Sequence, residues 1–173
     1  MPSPQTIAVV DYGMGNLRSV VQALKHAAPN SHIILSSDPK EVINADKVVF
    51  PGQGAMPDCV RELKQGGLEQ AVRHAAAHKP FLGICIGLQM LFEHSEEGDA
   101  AGLGILQGQV KRFAHPLKDA QGQKLKVPHM GWNTVQQRKP HPLWQHIPQD
   151  AHFYYVHSYY VEPADSSIVA ATS

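Results

Sequence analysis

The sequence predicts an α/β fold with a mainly parallel sheet flanked by helices and a β-rich second half. In the first half, short β-branched runs alternate with stretches of helical period, which is the pattern of βαβ units. From Gly104 onward this alternation stops, and strand-like segments follow one another without a long helix between them. The 173 residues, 43% of them hydrophobic, suffice for one sizeable core, so we expect a single domain over residues 1–173.

The individual elements follow from the spacing of apolar residues. Thr6–Asp11 is typical of a buried strand, and the helix predicted at Asn16–Ala28 carries one apolar face, formed by Leu17, Val20, Val21 and Leu24. Further along the first half we predict strand Ile33–Ser36, helix Pro39–Ile43 with Ser37 and Asp38 as capping candidates, strand Lys47–Phe50, helix Leu68–His78 and strand Phe81–Ile84. In the second half we predict strands Ile105–Phe113, Lys124–Val127, Trp132–Gln137 and Phe153–Val161, a helical turn around Leu143–His146, and a strand-like run at Ser167–Thr172.

Composition excludes several classes of partner. Fifteen Lys and Arg balance fifteen Asp and Glu, so we expect neither nucleic acid nor a membrane surface as a partner. The longest apolar stretch, Phe81–Phe92, is far shorter than the roughly 20 residues of a spanning helix. Residues 1–6 lack a basic region and an apolar run, which predicts a cytoplasmic protein. Two cysteines are too few for a disulfide framework and are expected as free thiols.

One cysteine lies in a turn of the type that carries nucleophiles. The segment Gly83-Ile84-Cys85-Ile86-Gly87 follows an apolar strand and precedes a stretch of helical period, Leu88–Glu93. Flanking glycines permit the tight turn that raises the sulfur above the sheet, and a helix N-terminus beside it favours the reactive thiolate. The alternative is a buried cysteine with glycines for close packing. Cys59 has no such setting, so we predict that Cys85 is the nucleophile and Cys59 is inert.

A second glycine-rich segment follows the third predicted strand. This oxyanion segment, Pro51–Ala55, is expected at the carboxyl edge of the sheet, where α/β proteins place their ligands. Backbone amides in such a run can stabilise an oxyanion, although proline and glycine after a strand also make plain turns. Its position on the same edge as Cys85 favours the functional interpretation.

Two other patterns favour no cofactor. Tyr12–Asn16 begins like a dinucleotide fingerprint but lacks the third glycine, and no acidic residue ends the second strand, so NAD binding is disfavoured. This turn is either a plain strand-to-helix connection or a contact for a partner. His74 and His78 have ligand spacing on a helix, yet no acidic or thiol ligand accompanies them, so no metal is expected. His157 is a conceivable base for Cys85, and the sequence does not show whether it reaches the sulfur.

Together, these motifs resemble the glutaminase subunits of imidazole glycerol phosphate synthase, within the class I, triad-type glutamine amidotransferases. The segments Gly83–Gln89 and Pro51–Ala55 resemble the whole class, whereas Asp11–Leu17, Val127–Asn133 and Tyr155–Tyr160 resemble this subunit family in particular. The resemblance runs from Ile7 to the last residue. It implies the flavodoxin-like fold of class I glutamine amidotransferases and a cytoplasmic glutaminase of histidine biosynthesis, with no cofactor.

The resemblance also implies roles for individual residues. Cys85 would attack the side-chain amide of glutamine, and its ammonia would pass to a (β/α)8-barrel cyclase subunit. The oxyanion and substrate-binding residues would be Gly52, Gln53, Gly54, Ile86, Gln89, His157, Ser158 and Tyr159. A partner surface on the same sheet edge would include Asn16, Arg18, Met130, Trp132 and Asn133. No metal site is implied.

The sequence departs from this family at one point. Family members carry a His-Pro-Glu strand and a final helix beyond the position of Ser173, and no His-Pro-Glu occurs in these 173 residues. From this we expect a chain truncated at its C-terminus, without glutaminase activity, that self-associates through uncovered apolar surface. Two alternatives remain: a stand-alone amidotransferase-like hydrolase, and a non-catalytic binding module.

Overall fold

The first half of the chain forms a four-stranded parallel sheet, as the sequence predicts. A computed structural model describes residues 4–118 and 121–173; residues 1–3, part of the segment searched for a secretion signal, lie outside the described residues. The sheet has the order β2-β1-β3-β4 and contains β1 (Thr6–Val10), β2 (His32–Ser36), β3 (Lys47–Gly52) and β4 (Phe81–Cys85). All three pairings are parallel, so the carboxyl ends of the strands share one edge.

Helices connect these strands. They are α1 (Leu17–Ala27), α2 (Pro39–Asn44), α3 (Met56–Gln65), α4 (Glu69–His78) and the single turn α5 (Ile86–Gln89). Asn16 caps α1 by accepting a hydrogen bond from the Ser19 amide at 3.4 Å, and Asp38, not Ser37, caps α2. The predicted helix at Leu88–Glu93 was wrong, because the helix begins at Ile86 and ends after one turn.

Helix α3 was absent from the sequence prediction. Its buried residues are Met56, Cys59, Val60 and Leu63, which have the spacing of one helical face. Pro57 lies in its first turn, where proline is well tolerated. Helices α3 and α4 together connect β3 to β4, and α3 places Cys59 in the core.

The sheet separates two apolar clusters. On one face, the apolar stripe of α1 packs against Ile7, Val9 and Val49. On the other face, a larger cluster joins Val10, Val48 and Phe50 to buried side chains of α2, α3 and α4. Phe50 is fully buried, and burial of a side chain of this size stabilises the fold by about 1.5–3 kcal/mol.

The second half is β-rich, as predicted, and forms small sheets. Its strands are β5 (His94–Ser95), β6 (Ala100–Ala101), β7 (Gly108–Arg112), β8 (Leu117–Lys118), β9 (Lys124–Leu125), β10 (His129–Gln137), β11 (Ala151–His157), β12 (Tyr159–Pro163) and β13 (Ala171–Thr172). The sheet orders are β11-β10-β13, β12-β7-β5-β6 and β8-β9. Single 3-10 turns cover Glu97–Asp99, Pro142–Trp144 and Ser166–Ile168.

Two strand predictions in this half were wrong. The predicted strand Phe153–Val161 is divided at Ser158, where the chain leaves β11 in one sheet and enters β12 in another. The predicted run Ser167–Thr172 begins in a 3-10 turn and keeps only two residues of strand. In neither case does a glycine or proline mark the break, so the local sequence carries no signal for it.

Strand β4 is an edge strand of the parallel sheet in the part of the chain described here. Its residues Leu82 and Ile84 are exposed to 41% and 37%.

An apolar groove of about 1320 Å³ lies in the second half, lined by residues that include Leu88, Phe113, Leu117, Leu125 and Ile168. Among the described residues, every helix is too short or too polar to cross a lipid bilayer.

Candidate active site

Cys85 occupies a strained turn between β4 and α5. Its backbone has φ 56° and ψ −117°, a region that residues other than glycine rarely adopt. Such a conformation costs of order 1–3 kcal/mol and persists only where the surrounding structure enforces it. The nucleophile elbow of α/β enzymes is a turn of this kind, and it exposes the side chain above the sheet. The structure accordingly leaves Cys85 exposed.

The two flanking glycines are required by the packing of the elbow. A Cβ atom on Gly83 would lie 2.9 Å from the backbone of Leu88. A Cβ atom on Gly87 would overlap the carbonyl oxygen of Phe50 in β3. Both clashes are with backbone, which cannot move aside without displacing α5 or β3. The G-x-C-x-G spacing in the sequence is thus a consequence of this close approach.

The Cys85 side chain borders a cavity of about 260 Å³, which we call the thiol cavity. Seven further residues predicted from the sequence line it: Gln53, Gly54, Ile86, Gln89, His157, Ser158 and Tyr159. Gly52 lies beside it, because the parallel register of β3 and β4 places Gly52 opposite Cys85. The predicted oxyanion and substrate-binding residues therefore surround one thiol.

The oxyanion segment reaches the thiol cavity from β3. Gln53 and Gly54 are exposed, and Gly54 has φ 121°, which explains a glycine at this position. Ile86 lies on the other side of Cys85 and is the first residue of α5. Residues of both segments therefore line the thiol cavity together with Cys85.

Gln89 presents a buried amide to the thiol cavity. Its side chain is only 7% exposed, and within the described part of the chain its Oε1 atom has no hydrogen-bond partner. A buried carbonyl without a partner costs about 1–3 kcal/mol. A bound molecule with an N–H group would satisfy this oxygen.

Glu97 also lines the thiol cavity, and the sequence analysis did not identify it. Its Oε2 atom accepts a hydrogen bond from the Met56 amide at 3.0 Å, which fixes the carboxylate at the start of α3. The Glu97 amide in turn donates to the Ser95 hydroxyl at 3.1 Å. This carboxylate gives the cavity a partner for a cation. Pro128 and Val156 complete the lining.

His157 is held with a defined ring orientation. Its Nδ1 atom lies 2.9 Å from the carbonyl oxygen of Tyr159, and because a carbonyl only accepts, Nδ1 carries the proton. The ring packs edge-on against Phe113 at 4.9 Å between centroids. Among the described residues, the salt-bridge-type contact between a histidine and a carboxylate joins His94 Nε2 to Asp99 Oδ1 at 2.8 Å, outside the thiol cavity.

The second thiol has the opposite surroundings. Cys59 is fully buried, and this burial raises the pKa of its thiol. Its Sγ atom donates to the carbonyl oxygen of Gln53 at 3.6 Å. Cys59 is thus a protonated donor behind the oxyanion segment, whereas Cys85 is open to a reagent in the cavity.

The predicted partner residues lie in two places. Met130 and Trp132 are exposed to 63% and 68% on one face of β10, next to Val156 and Tyr154 of β11, which are exposed to 57% and 55%. We call these four residues the hairpin patch. Asn133 alternates to the other face of β10. Both Met130 and Asn133 line the apolar groove. Asn16 and Arg18 are exposed at the start of α1.

The candidate metal pair also has a structural account. His74 and His78 stack at 4.6 Å between ring centroids, and His78 Nδ1 lies 2.9 Å from the His74 carbonyl oxygen. Over residues 4–118 and 121–173, no group of three or more His, Cys, Asp or Glu side chains is arranged to hold a metal ion.

An elbow cysteine at the carboxyl edge of a parallel sheet, with glycine-rich amides beside it, defines a class of thiol enzymes of α/β fold. The family model Glutamine amidotransferase class-I matches residues 8–173, and the chain belongs to this family. The sequence-based assignment to the class I amidotransferases is confirmed.

Within this family, the chain is similar to proteins named imidazole glycerol phosphate synthase subunit HisH. The protein of Nitrosospira multiformis is 65% identical over 161 residues, which are 92% of this chain and 76% of that protein. The protein of Aromatoleum aromaticum is 62% identical over 168 residues, which are 96% of this chain and 79% of that protein. These relatives confirm the resemblance that the motifs indicated.

Solved structures confirm the fold. A glutamine amidotransferase crystal structure has a TM-score of 0.65 at 15% identity, covering 95% of this chain and 78% of that one. A glutamine amidotransferase from Thermotoga maritima has a TM-score of 0.57 at 16% identity, covering 92% of this chain and 63% of that one. At these identities the similarity shows the fold alone.

Proposed function

We propose that this chain is the glutaminase subunit of an imidazole glycerol phosphate synthase, which hydrolyses glutamine to glutamate and ammonia through Cys85. The observation that carries the proposal is the exposed thiol on a strained elbow, facing a cavity with an unpaired amide oxygen and a carboxylate. The high identity to HisH proteins supports the same assignment.

The lining of the thiol cavity complements the two ends of a glutamine molecule. The unpaired Oε1 of Gln89 would accept a hydrogen bond from a glutamine N–H, and the Glu97 carboxylate would pair with its α-ammonium. Ser158 and Tyr159, at the crossing between β11 and β12, would complete the binding site. This division of roles explains why an acidic and an amide side chain share one cavity.

In the proposed reaction, Cys85 Sγ attacks the γ-carbonyl carbon of glutamine. Amides near Gln53 and Ile86 hold the oxyanion that forms, the carbon–nitrogen bond breaks, and ammonia leaves after taking up a proton. Water then hydrolyses the γ-glutamyl thioester to glutamate and restores the thiol. Each step needs a group that moves protons between the thiol, the leaving nitrogen and water.

Within residues 1–173, the thiol cavity offers only a weak candidate for this proton-transfer group. His157 is the histidine that lines the thiol cavity, and a carbonyl rather than a carboxylate holds its Nδ1 atom. A catalytic triad acts as a unit, so loss of the base and its orienting carboxylate lowers turnover by several orders of magnitude. We therefore propose that a polypeptide of these residues binds glutamine but hydrolyses it very slowly.

We further propose that ammonia passes to a (β/α)8-barrel cyclase subunit docked on the hairpin patch. Val156 belongs to this patch and also lines the thiol cavity, so an occupant of the patch would lie next to the site where ammonia forms. An exposed cluster of a tryptophan, a tyrosine and two aliphatic side chains is typical of the centre of an interface.

Two other functions give different expectations. A stand-alone amidotransferase-like hydrolase would leave the hairpin patch without a role, and cyclase would not alter its turnover. A non-catalytic binding module would bind cyclase, and its residual glutamate release would be the same with or without Cys85.

A glutaminase assay with and without the cyclase subunit of a HisH relative separates these functions. We expect slow glutamate release that rises when cyclase is added and disappears in Cys85→Ala. Calorimetry should show glutamine binding that Glu97→Gln weakens and Glu96→Gln, an exposed neighbour outside the cavity, does not. Release independent of Cys85 would overturn the proposal.

A further inference from the structure

The turn after β1 contains a buried tyrosine that the proposed reaction does not use. Tyr12 is 5% exposed, and its hydroxyl donates a hydrogen bond to the carbonyl oxygen of Pro51 at 3.0 Å. The hydroxyl also lies 2.5 Å from the position that a Cβ atom on Gly52 would take. Tyr12 therefore contacts the first half of the oxyanion segment from behind.

Cys59 makes the equivalent contact with the second half of the same segment. Its Sγ atom donates to the carbonyl oxygen of Gln53 at 3.6 Å, and it lies 3.8 Å from the position of a Cβ atom on Gly54. Tyr12 and Cys59 belong to the same buried cluster. Two buried side chains thus hold two carbonyl groups that are two residues apart.

Both side chains remain donors over a wide pH range. Burial raises the pKa of the Tyr12 phenol and the pKa of the Cys59 thiol above their usual values, so each keeps its proton. A protonated phenol or thiol can donate to a carbonyl, whereas the ionised form would repel it. Both side chains therefore keep their hydrogen bonds to the oxyanion segment at neutral pH.

We propose that Tyr12 and Cys59 are positioning residues that fix the peptide planes of the oxyanion segment for the attack by Cys85. In a trans peptide the C=O group and the following N–H group point in opposite directions. Fixing the carbonyls of Pro51 and Gln53 therefore fixes the N–H directions of Gly52 and Gly54, and Gly54 lines the thiol cavity. The peptide between them, Gly52–Gln53, keeps only the rotations that the two anchors permit.

This inference rests on the proposed function, because it assumes that the oxyanion segment acts on a bound glutamine analogue. It also gives the Tyr12–Asn16 turn a role other than a dinucleotide site or a plain connection. The expected consequence is specific: loss of an anchor slows reactions that build charge on a carbonyl oxygen, and leaves simple alkylation of the thiol unchanged.

The test compares two reagents on residues 1–173 at about pH 9, above the ordinary pKa of a thiol, so that no base is needed. Diazo-oxo-L-norleucine is a glutamine analogue whose ketone oxygen would face the oxyanion segment. The Cys85 thiolate adds to the ketone carbon and builds an oxyanion there; once water has protonated the diazo carbon, the sulfur shifts to that carbon, nitrogen gas leaves and the ketone forms again. Iodoacetamide alkylates the same sulfur with loss of iodide and builds no oxyanion.

For Tyr12→Phe we expect the maximal rate of modification by the diazoketone to fall by about tenfold, which corresponds to one lost hydrogen bond. The half-saturating concentration and the iodoacetamide rate should change by less than about twofold. Tyr160→Phe removes a phenol oxygen outside the thiol cavity and should behave as wild type. Cys59→Ala should resemble Tyr12→Phe, and Cys59→Ser, which restores a donor, should recover most of the rate.

Three results would overturn the inference. They are wild-type diazoketone rates in Tyr12→Phe, equal rates in Cys59→Ala and Cys59→Ser, and a parallel fall in both reagents, which would indicate a general loss of structure. Failure of the proposed function is distinguishable from these, because the diazoketone would then not modify Cys85 in the wild-type protein although iodoacetamide does.

Discussion

Gly52 lies opposite Cys85 in the parallel pairing of β3 and β4. This register brings the oxyanion segment and the nucleophile elbow to the same edge of the sheet, although 32 residues lie between Gly52 and Cys85 in the sequence. The thiol cavity is therefore a product of strand register, and changes that disturb β3 or the elbow are expected to disturb the site.

Replacing Gly87 with alanine should destabilise the protein strongly. The added Cβ atom would overlap the Phe50 carbonyl oxygen, and overpacking against a fixed backbone costs about 1–3 kcal/mol or more. Urea unfolding followed by circular dichroism measures the change. Gly131→Ala is the matched control, because no atom lies within 4 Å of its added Cβ, and it should be neutral or slightly stabilising. Equal midpoints for the two variants would contradict the packing account.

The buried thiol should make the protein less stable at alkaline pH. In the unfolded chain Cys59 ionises near the ordinary thiol pKa of about 8.5, whereas burial raises its pKa in the folded state. Its contribution is thus complete below about pH 8.5 and is lost as the pH rises toward the folded-state pKa.

Urea midpoints measured from pH 7 to pH 10 test this expectation. Cys59→Ala should flatten the alkaline decline, while Val60→Ala, which truncates a neighbouring buried side chain of α3 without a titrating group, should lower stability at every pH and keep the wild-type slope. A slope in Cys59→Ala as steep as in wild type would remove Cys59 as the cause.

The hairpin patch should carry the affinity for the cyclase subunit. Trp132 is 68% exposed and meets Tyr154 at 5.5 Å between ring centroids, and truncation of such a central aromatic typically weakens binding by about tenfold or more. Arg18→Glu, a charge reversal near the start of α1, should weaken association by a smaller factor. Lys25→Glu, in the last turn of the same helix at the opposite edge of the sheet, is the control. Unchanged affinity in Trp132→Ala would remove the patch from the interface.

A polypeptide of residues 1–173 should self-associate. Leu82 and Ile84 are exposed on the edge strand β4, and an unpaired apolar edge is a template for pairing with a second copy. Light scattering across a dilution series should show a mass that rises with concentration. Leu82→Lys should suppress the rise, and Leu143→Lys, in an exposed 3-10 turn, should not. A constant monomer mass would contradict this expectation.

The elbow and the oxyanion segment could be predicted from sequence, because glycines are required where two backbone segments are in direct contact. Gly83 and Gly87 have no room for a Cβ atom, so the motif is readable without the fold. Glu97 could not be found in this way, since its carboxylate reaches the thiol cavity through a 3-10 turn in a separate part of the chain. Only tertiary structure brings it near Cys85.

The sequence analysis also did not predict which way the side chains of β10 face. Met130, Trp132 and Asn133 were grouped as one surface from their closeness in sequence, but neighbouring residues of a strand face opposite sides. Asn133 is accordingly half-buried, whereas Trp132 beside it is exposed. Likewise, nothing in the composition around Ser158 shows that the chain changes sheets there, because the change depends on which strands β11 and β12 pair with.

The most direct test of the account is peptide-mapped modification by diazo-oxo-L-norleucine, with and without protection by L-glutamine. Cys85 should be modified, L-glutamine should slow the reaction, and D-glutamine should not, because Gln89 and Glu97 lie at fixed positions in the thiol cavity. Cys59 should stay unmodified until the protein is unfolded, since it is fully buried. Modification of Cys59 in preference to Cys85, or a Cys85 rate that L-glutamine does not change, would contradict the assignment of Cys85 as the nucleophile of a glutaminase site.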